Sequence, residues 1–253
     1  VKSKLLASMI AATVATVGSV LVAAPASAAV AVYQPAYTDD IYAVSDGTTT
    51  QLTLDEWLAL GAPAPQPAPT VYVKYSWDDT VYAISTFTPD AKIINSINSA
   101  EWARAGWPAP TVAGFIAGTL IYQWGSSPEL FAAFPSEDGS GSIHKLTYNQ
   151  WAKTGFKTPE LAGPGFFTLA WVDTPGIAFQ AVDQQAAVEI SYDEWSLLDF
   201  PTPAAVDRIA GDGFFQVAGS ADIVYSGPTL TDYTLSYEEW EAAGFPQPEV
   251  ING

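Results

Sequence analysis

The stretch from Leu52 to Pro63, LTLDEWLALGAP, returns four more times, and this period constrains the fold more than any other feature of the chain. INSAEWARAGWP starts at Ile97, LTYNQWAKTGFK at Leu146, ISYDEWSLLDFP at Ile190 and LSYEEWEAAGFP at Leu235. The recurring tryptophans Trp57, Trp102, Trp151, Trp195 and Trp240 stand 45, 49, 44 and 45 residues apart. A period of this length marks a supersecondary unit that buries its apolar face only against neighbours of its own kind.

The repeated stretch reads as a short helix with both ends specified. Thr53, Asn98, Thr147, Ser191 and Ser236 are good N-caps. Glu56, Glu101, Gln150, Glu194 and Glu239 fall three residues on, where a carboxylate or amide can reach back to the cap amide and complete a capping box. Leu52, Ile97, Leu146, Ile190 and Leu235 precede the caps, and the tryptophans sit at N4, the arrangement of a hydrophobic staple. Gly61, Gly106, Gly155, Asp199 and Gly244 then suit a left-handed C-terminal cap, with prolines following to hold the exit extended. About two helical turns do not persist alone. The acids are therefore expected to be caps rather than catalysts, and the five tryptophans to form the structural core of the repeat.

The remainder of each copy consists of apolar, β-branched and aromatic runs broken by Asp, Gly, Pro and Ser, which predicts hairpins. The expected unit is about three short strands plus the helix, in repeats of about 29–70, 71–114, 115–163, 164–211 and 212–253. The fold expected is mainly β with short helices, a closed, propeller-like five-fold ring. An open solenoid is the alternative, but its end units need polar caps, and the end copies here look like the middle ones. Closure would bring the AVAVYQ strand at the start against the last repeat.

The order IYAVSDG…LTLDEWLALGAP, from Ile41 to Pro63, resembles the LGFP repeats of secreted actinobacterial cell-envelope proteins. The match includes Leu60-Gly61-Ala62-Pro63, Ala105-Gly106-Trp107-Pro108 and Ala243-Gly244-Phe245-Pro246, and repeats of this kind span the chain after its leader. The resemblance implies a five-fold ring that binds cell-wall polysaccharide without catalysis; it carries no binding residues over. The four-letter motif itself occurs nowhere intact, and Thr154-Gly155-Phe156-Lys157 and Leu198-Asp199-Phe200-Pro201 diverge further.

Residues 1–28 read as a secretory signal peptide: Lys2 and Lys4, a long Ala/Val/Leu run, then Ala26-Ser27-Ala28. Val1 is expected from a non-AUG start codon and so from a bacterial gene. Residues 29–253 are then one domain that is secreted, or held non-covalently at the cell wall. Two of the nine cationic residues lie in the leader, so the remainder sets 7 against 27 acids, a net −20. Such a field disfavours nucleic acid and anionic membrane surfaces, and points to neutral glycans, cations or a basic protein partner. Without any cysteine, thiol catalysis and cysteine metal sites are excluded, and the fold must rest on its core alone.

His144 is the sole histidine, expected as a solvated residue at the start of a strand, with no nucleophile elbow for it to serve. One histidine and no cysteine are too few for a zinc site of the usual kind, and the turn SEDGSGS lacks the alternating ligands of an EF-hand. No enzyme activity, metal or cofactor is expected. Asp39, Asp40, Asp78, Asp79 and Asp222 fall in hairpin turns, which explains them better than calcium does. Tyr37, Trp77, Trp124 and Trp171 lie near the outer ends of first strands. They are read as packing onto the sheet or, if a glycan binds, as its stacking platform with Asp78 and Asp79 accepting from hydroxyls. The function expected is non-catalytic binding of a cell-envelope or environmental glycan. An extracellular scaffold for a basic protein is the alternative, and a glycan hydrolase comes third.

Overall fold

The computed structural model describes residues 30–134 and 142–252. The expected signal peptide and most of the SEDGSGS turn lie outside the described residues. Five units follow one another. The first holds β1 (Ala31–Gln34), β2 (Ile41–Ser45), β3 (Thr48–Leu52), α1 (Leu54–Ala59) and β4 (Gln66–Pro67). The second holds β5 (Thr70–Tyr75), β6 (Val81–Thr88), β7 (Ala91–Ile97), α2 (Ser99–Arg104) and β8 (Thr111–Ala113). The third comprises β9 (Leu120–Trp124), β10 (Leu130–Ala133), β11 (Ile143–Leu146), α3 (Tyr148–Lys153) and β12 (Glu160–Gly163). In the fourth are β13 (Gly165–Leu169), β14 (Ile177–Gln180), β15 (Val188–Ile190), α4 (Tyr192–Leu197) and β16 (Ala204–Val206). The fifth ends the chain with β17 (Gly213–Val217), β18 (Val224–Ser226), β19 (Tyr233–Thr234), α5 (Tyr237–Ala242) and β20 (Glu249–Ile251).

Every unit is a four-stranded sheet of one topology. Three strands form an antiparallel meander, the helix follows, and the chain returns as a fourth strand parallel to the first. The proline-rich exit, expected as an extended path only, is this fourth strand. In β4 it includes Pro67 itself, tolerated because proline on an edge need not donate to a ladder. The register aligns the units: Tyr33, Val73, Tyr122, Phe167 and Phe215 are each the first partner of the returning strand.

The strand ladders are thus complete within each unit, and the units are joined by side chains. In β10, Ala132 packs into a core shared with the second unit, whereas Phe131 and Ala133 pack into one shared with the fourth. The alternation of a strand places one sheet in two cores. Tyr42, Val44, Phe87 and Ile93 join the first two units, aided by Tyr37, Val81, Ala83 and Ile97. Leu169, Trp171, Phe214 and Tyr225 join the last two. None of these clusters holds residues of both the fifth unit and the first. The two terminal strands pair inside their own sheets, β1 with β2 and β4, β20 with β17. The AVAVYQ strand therefore does not complete the last repeat.

Candidate functional site

All five helices carry the complete capping box. The N-cap N–H groups of Thr53, Asn98, Thr147, Ser191 and Ser236 donate to the N3 side chain at 2.7–2.9 Å. At the other end stands a full Schellman motif. In the fifth unit, Phe245 N–H donates to the Trp240 carbonyl and Gly244 N–H to that of Glu241, both at 2.9 Å. The motif brings the residue after the glycine against the N4 tryptophan.

That residue is aromatic in four units, and its backbone is left-handed. Trp107, Phe156, Phe200 and Phe245 have φ of 55°, 55°, 54° and 53°, directly after Gly106, Gly155, Asp199 and Gly244, which are left-handed too. A bulky side chain in this region costs about 1–2 kcal/mol. The turn aims each ring edge-on at the tryptophan, with centroids 4.9–5.0 Å apart. The indole N–H of each tryptophan donates to the carbonyl six residues on, at Pro63, Pro108, Lys157, Pro201 and Pro246, so the ring is fixed in plane.

In units three to five a third ring joins at N1. Tyr148, Tyr192 and Tyr237 lie three residues before the tryptophan, on the same helix face, and their rings close on both partners at 5.7–6.3 Å. These tyrosines are 65–69% exposed, and the phenylalanines beside them are exposed as well. The same positions hold Ser99 and Trp107 in the second unit and Leu54 and Ala62 in the first. In the fifth unit the trio lines an open cleft of about 390 Å³ between helix and hairpin turn, with Gln216, Asp222 and Gln247 among its other residues.

A second cavity, about 530 Å³, lies between the turn of the fourth unit and α5, lined by Trp171, Asp173, Glu238 and Glu239 among others. Burial pushes the Glu239 carboxyl up, but the Tyr233 hydroxyl at 2.5 Å and the Ser236 cap outweigh it and hold it below its ordinary value.

The residues singled out in the sequence are placed differently. Tyr37, Trp124 and Trp171 are buried between units. The Tyr37 hydroxyl accepts from Asn95 at 2.9 Å, and the Trp171 indole donates to the Asp207 carbonyl at 3.0 Å. Trp77 is half-buried and stacks on Tyr75. A ring with both faces covered cannot stack on a sugar, so Tyr37, Trp124 and Trp171 take the packing reading and sit at the joints between units, whereas Trp77 keeps part of its surface exposed. The strand register also sets Trp124 two residues before the position of Tyr37, Trp77 and Trp171. Asp78 and Asp79 do turn work, accepting from Thr80 N–H at 2.8 Å and Lys74 Nζ at 2.9 Å.

The staple tryptophans, expected as core, are half-buried in every unit. Trp102, Trp151 and Trp195 touch buried clusters with part of the ring. His144 is not simply solvated: Nε2 lies 3.1 Å from Gln150 Nε2, and Nδ1 lies 3.6 Å from Asp199 of the next unit. Among the described residues no group of three or more His, Asp and Glu is placed to hold a metal ion, and no helix is long and apolar enough to cross a membrane. The exposed Tyr and Phe rings went unread in the sequence, although an aromatic three residues before each of the last three tryptophans was a visible signal. Comparison with known protein families, with curated proteins and with solved structures finds no match.

Proposed function

We propose that this is a secreted, non-catalytic protein that binds a neutral cell-envelope or environmental glycan through the aromatic faces of its helices. The observation that carries the reading is the Tyr-Trp-Phe trio of units three to five, held rigid by an indole hydrogen bond and a left-handed turn while its outer rings stay exposed. Sugars offer C–H faces that stack on such rings, and ordering them in advance leaves little entropy to lose on binding. Backbone strain maintained at the same place in successive units is the kind of cost that marks a functional position. Three like sites on one chain gain from a polymeric ligand through avidity. The sites lie on individual units, so binding does not depend on closure into the five-fold ring expected from the sequence.

The test is retention on isolated cell walls and on polysaccharide arrays. Replacing Tyr148, Tyr192 and Tyr237 together by alanine is expected to lower retention at least tenfold with the melting temperature nearly unchanged. Retention equal to that of the unaltered protein sinks the reading. A basic protein partner is the second reading, favoured by the net charge of −18 and by Asp173, Glu238 and Glu239 around one cavity. It predicts binding that is lost in high salt and indifferent to competing sugar.

A further inference from the structure

The two ends of the row of units are unlike each other and complementary. On the side of each sheet that faces the following unit, the position two residues after the register anchor is occupied by Pro35, Tyr75, Trp124, Leu169 and Val217. Tyr75, Trp124 and Leu169 are each 1% exposed, in clusters shared with the next unit, and Pro35 is fully buried. Val217 is 38% exposed, with Ile251 beside it in register and exposed too.

The opposite side of a unit presents the C-cap residue of its helix. Thr154, Leu198 and Ala243 are buried at 3–6% and Ala105 is half-buried, whereas Leu60 of the first unit is 44% exposed. Leu54 and Leu58 of the same helix are exposed with it. Val32 on that end is covered, so the open part is the helix and its exit. The two sets of positions meet at the last two joints between units. Leu198 and Trp124 share one buried cluster, and Ala243 and Leu169 share another.

We propose that the exposed side of the fifth unit is a docking surface for the first-unit helix of a second copy of this chain, placing Leu60 of one molecule against Val217 of the next. The contact continues an interface that the chain already makes between its own successive units. It is heterologous, head to tail, and leaves one free end of each kind on the product, so it propagates. The own first unit is the competing occupant. Against it stand the exposure of both Leu60 and Val217 and a chain whose terminal strands are already paired within their own sheets. A net charge of −18 opposes association of two copies, so the contact strengthens with added salt.

The absence of cysteine makes a direct test available. Leu60→Cys and Val217→Cys single variants are mixed in equal amounts in moderate salt, oxidised and run on a non-reducing gel, alongside each variant alone. A mixed disulfide dimer several-fold in excess of either variant's own dimer is expected, and the Leu60→Cys/Val217→Cys double variant is expected to give a ladder of multimers. A double variant that oxidises to a monomer alone means the chain closes on itself and overturns the proposal. Equal dimer yields in all three single-cysteine samples overturn it as well. Sedimentation of the unaltered protein must also show mass rising with concentration, and a monomer at every concentration and salt sinks the idea.

Discussion

Asp199 stands where the other four repeats have glycine, and its backbone pays the left-handed penalty at φ 58°. The reason lies across the joint. Its carboxylate accepts the Lys145 N–H of β11 at 2.6 Å, while Lys145 Nζ reaches the Phe200 carbonyl at 2.5 Å and Glu129 at 3.0 Å. A hydrogen bond to a charged group is worth about 1.5–3 kcal/mol, less where solvent reaches it as it does here. Asp199→Ala loses this bond and keeps the strain, so a loss of about 1–2 kcal/mol in urea denaturation is expected. Asp199→Gly sheds the strain and is expected to lose about 1 kcal/mol less; the reverse order would show that the carboxylate is not what holds the turn. Glu129 beside it is pushed up by burial, but the Thr202 N–H and hydroxyl and Lys145 more than reverse this, leaving it below 4.5. A lowered folded value means its stabilisation is present above the ordinary carboxylate value and lost as pH falls through the lower one. Glu129→Gln is expected to flatten that acid dependence of the melting temperature. The sequence offered Asp199 as a departure from pattern without its partner, because the partner comes from another unit. Left-handed Phe156, Phe200 and Phe245 were equally hard to foresee, since local propensity argues against bulky residues there.

The helices were the most legible elements. Cap, N3 acid or amide and C-terminal glycine are local signals, and all five capping boxes form as read. Ser191→Ala is expected to cost about 1 kcal/mol, seen as a shift in the urea midpoint with an unchanged slope. The depth of the tryptophans was not legible, since a hydrophobic staple does not say how much of the ring the neighbouring sheet covers. With half the ring outside, Trp151→Ala is expected to cost about 2 kcal/mol rather than the 3–5 of a fully buried aromatic. A loss of 4 kcal/mol or more would mean the ring is core after all. The fourth strands escaped notice because each is only two to four residues long and recruited by a parallel partner far off in sequence. Short runs with proline carry no strand period of their own.

For the whole molecule, the five-fold period was plain and the relation of the ends was not, because each end copy carries the same sequence signals as the middle ones. What the joints share is buried phenol. Burial pushes Tyr75 up to about 12 against an ordinary 10, with the Thr119 hydroxyl opposing and Asp78 adding to the rise. Tyr82, Tyr122 and Tyr225 are pushed up as well, chiefly by burial. The folded state therefore holds these phenols neutral, and their contribution is fully present below pH 10 and lost as pH climbs through the raised values. A cooperative alkaline transition is expected above about pH 10, with tyrosinate absorbance and loss of circular dichroism rising together. Absorbance completed near pH 10 with the dichroism intact would show that the joints do not shelter their tyrosines.

Because the returning strand of each unit pairs with that unit's own first strand, no hydrogen-bond ladder among the described residues crosses a boundary between units. Duplicating or deleting one whole copy within a gene breaks no strand pairing and asks that two apolar faces, with the polar contacts across them, meet again. The number of copies is consequently free to drift, and with it the number of aromatic trios a single chain displays. If the trios bind a polymer as proposed, selection for a longer or shorter ligand acts on copy number alone, leaving the internal design of the unit untouched.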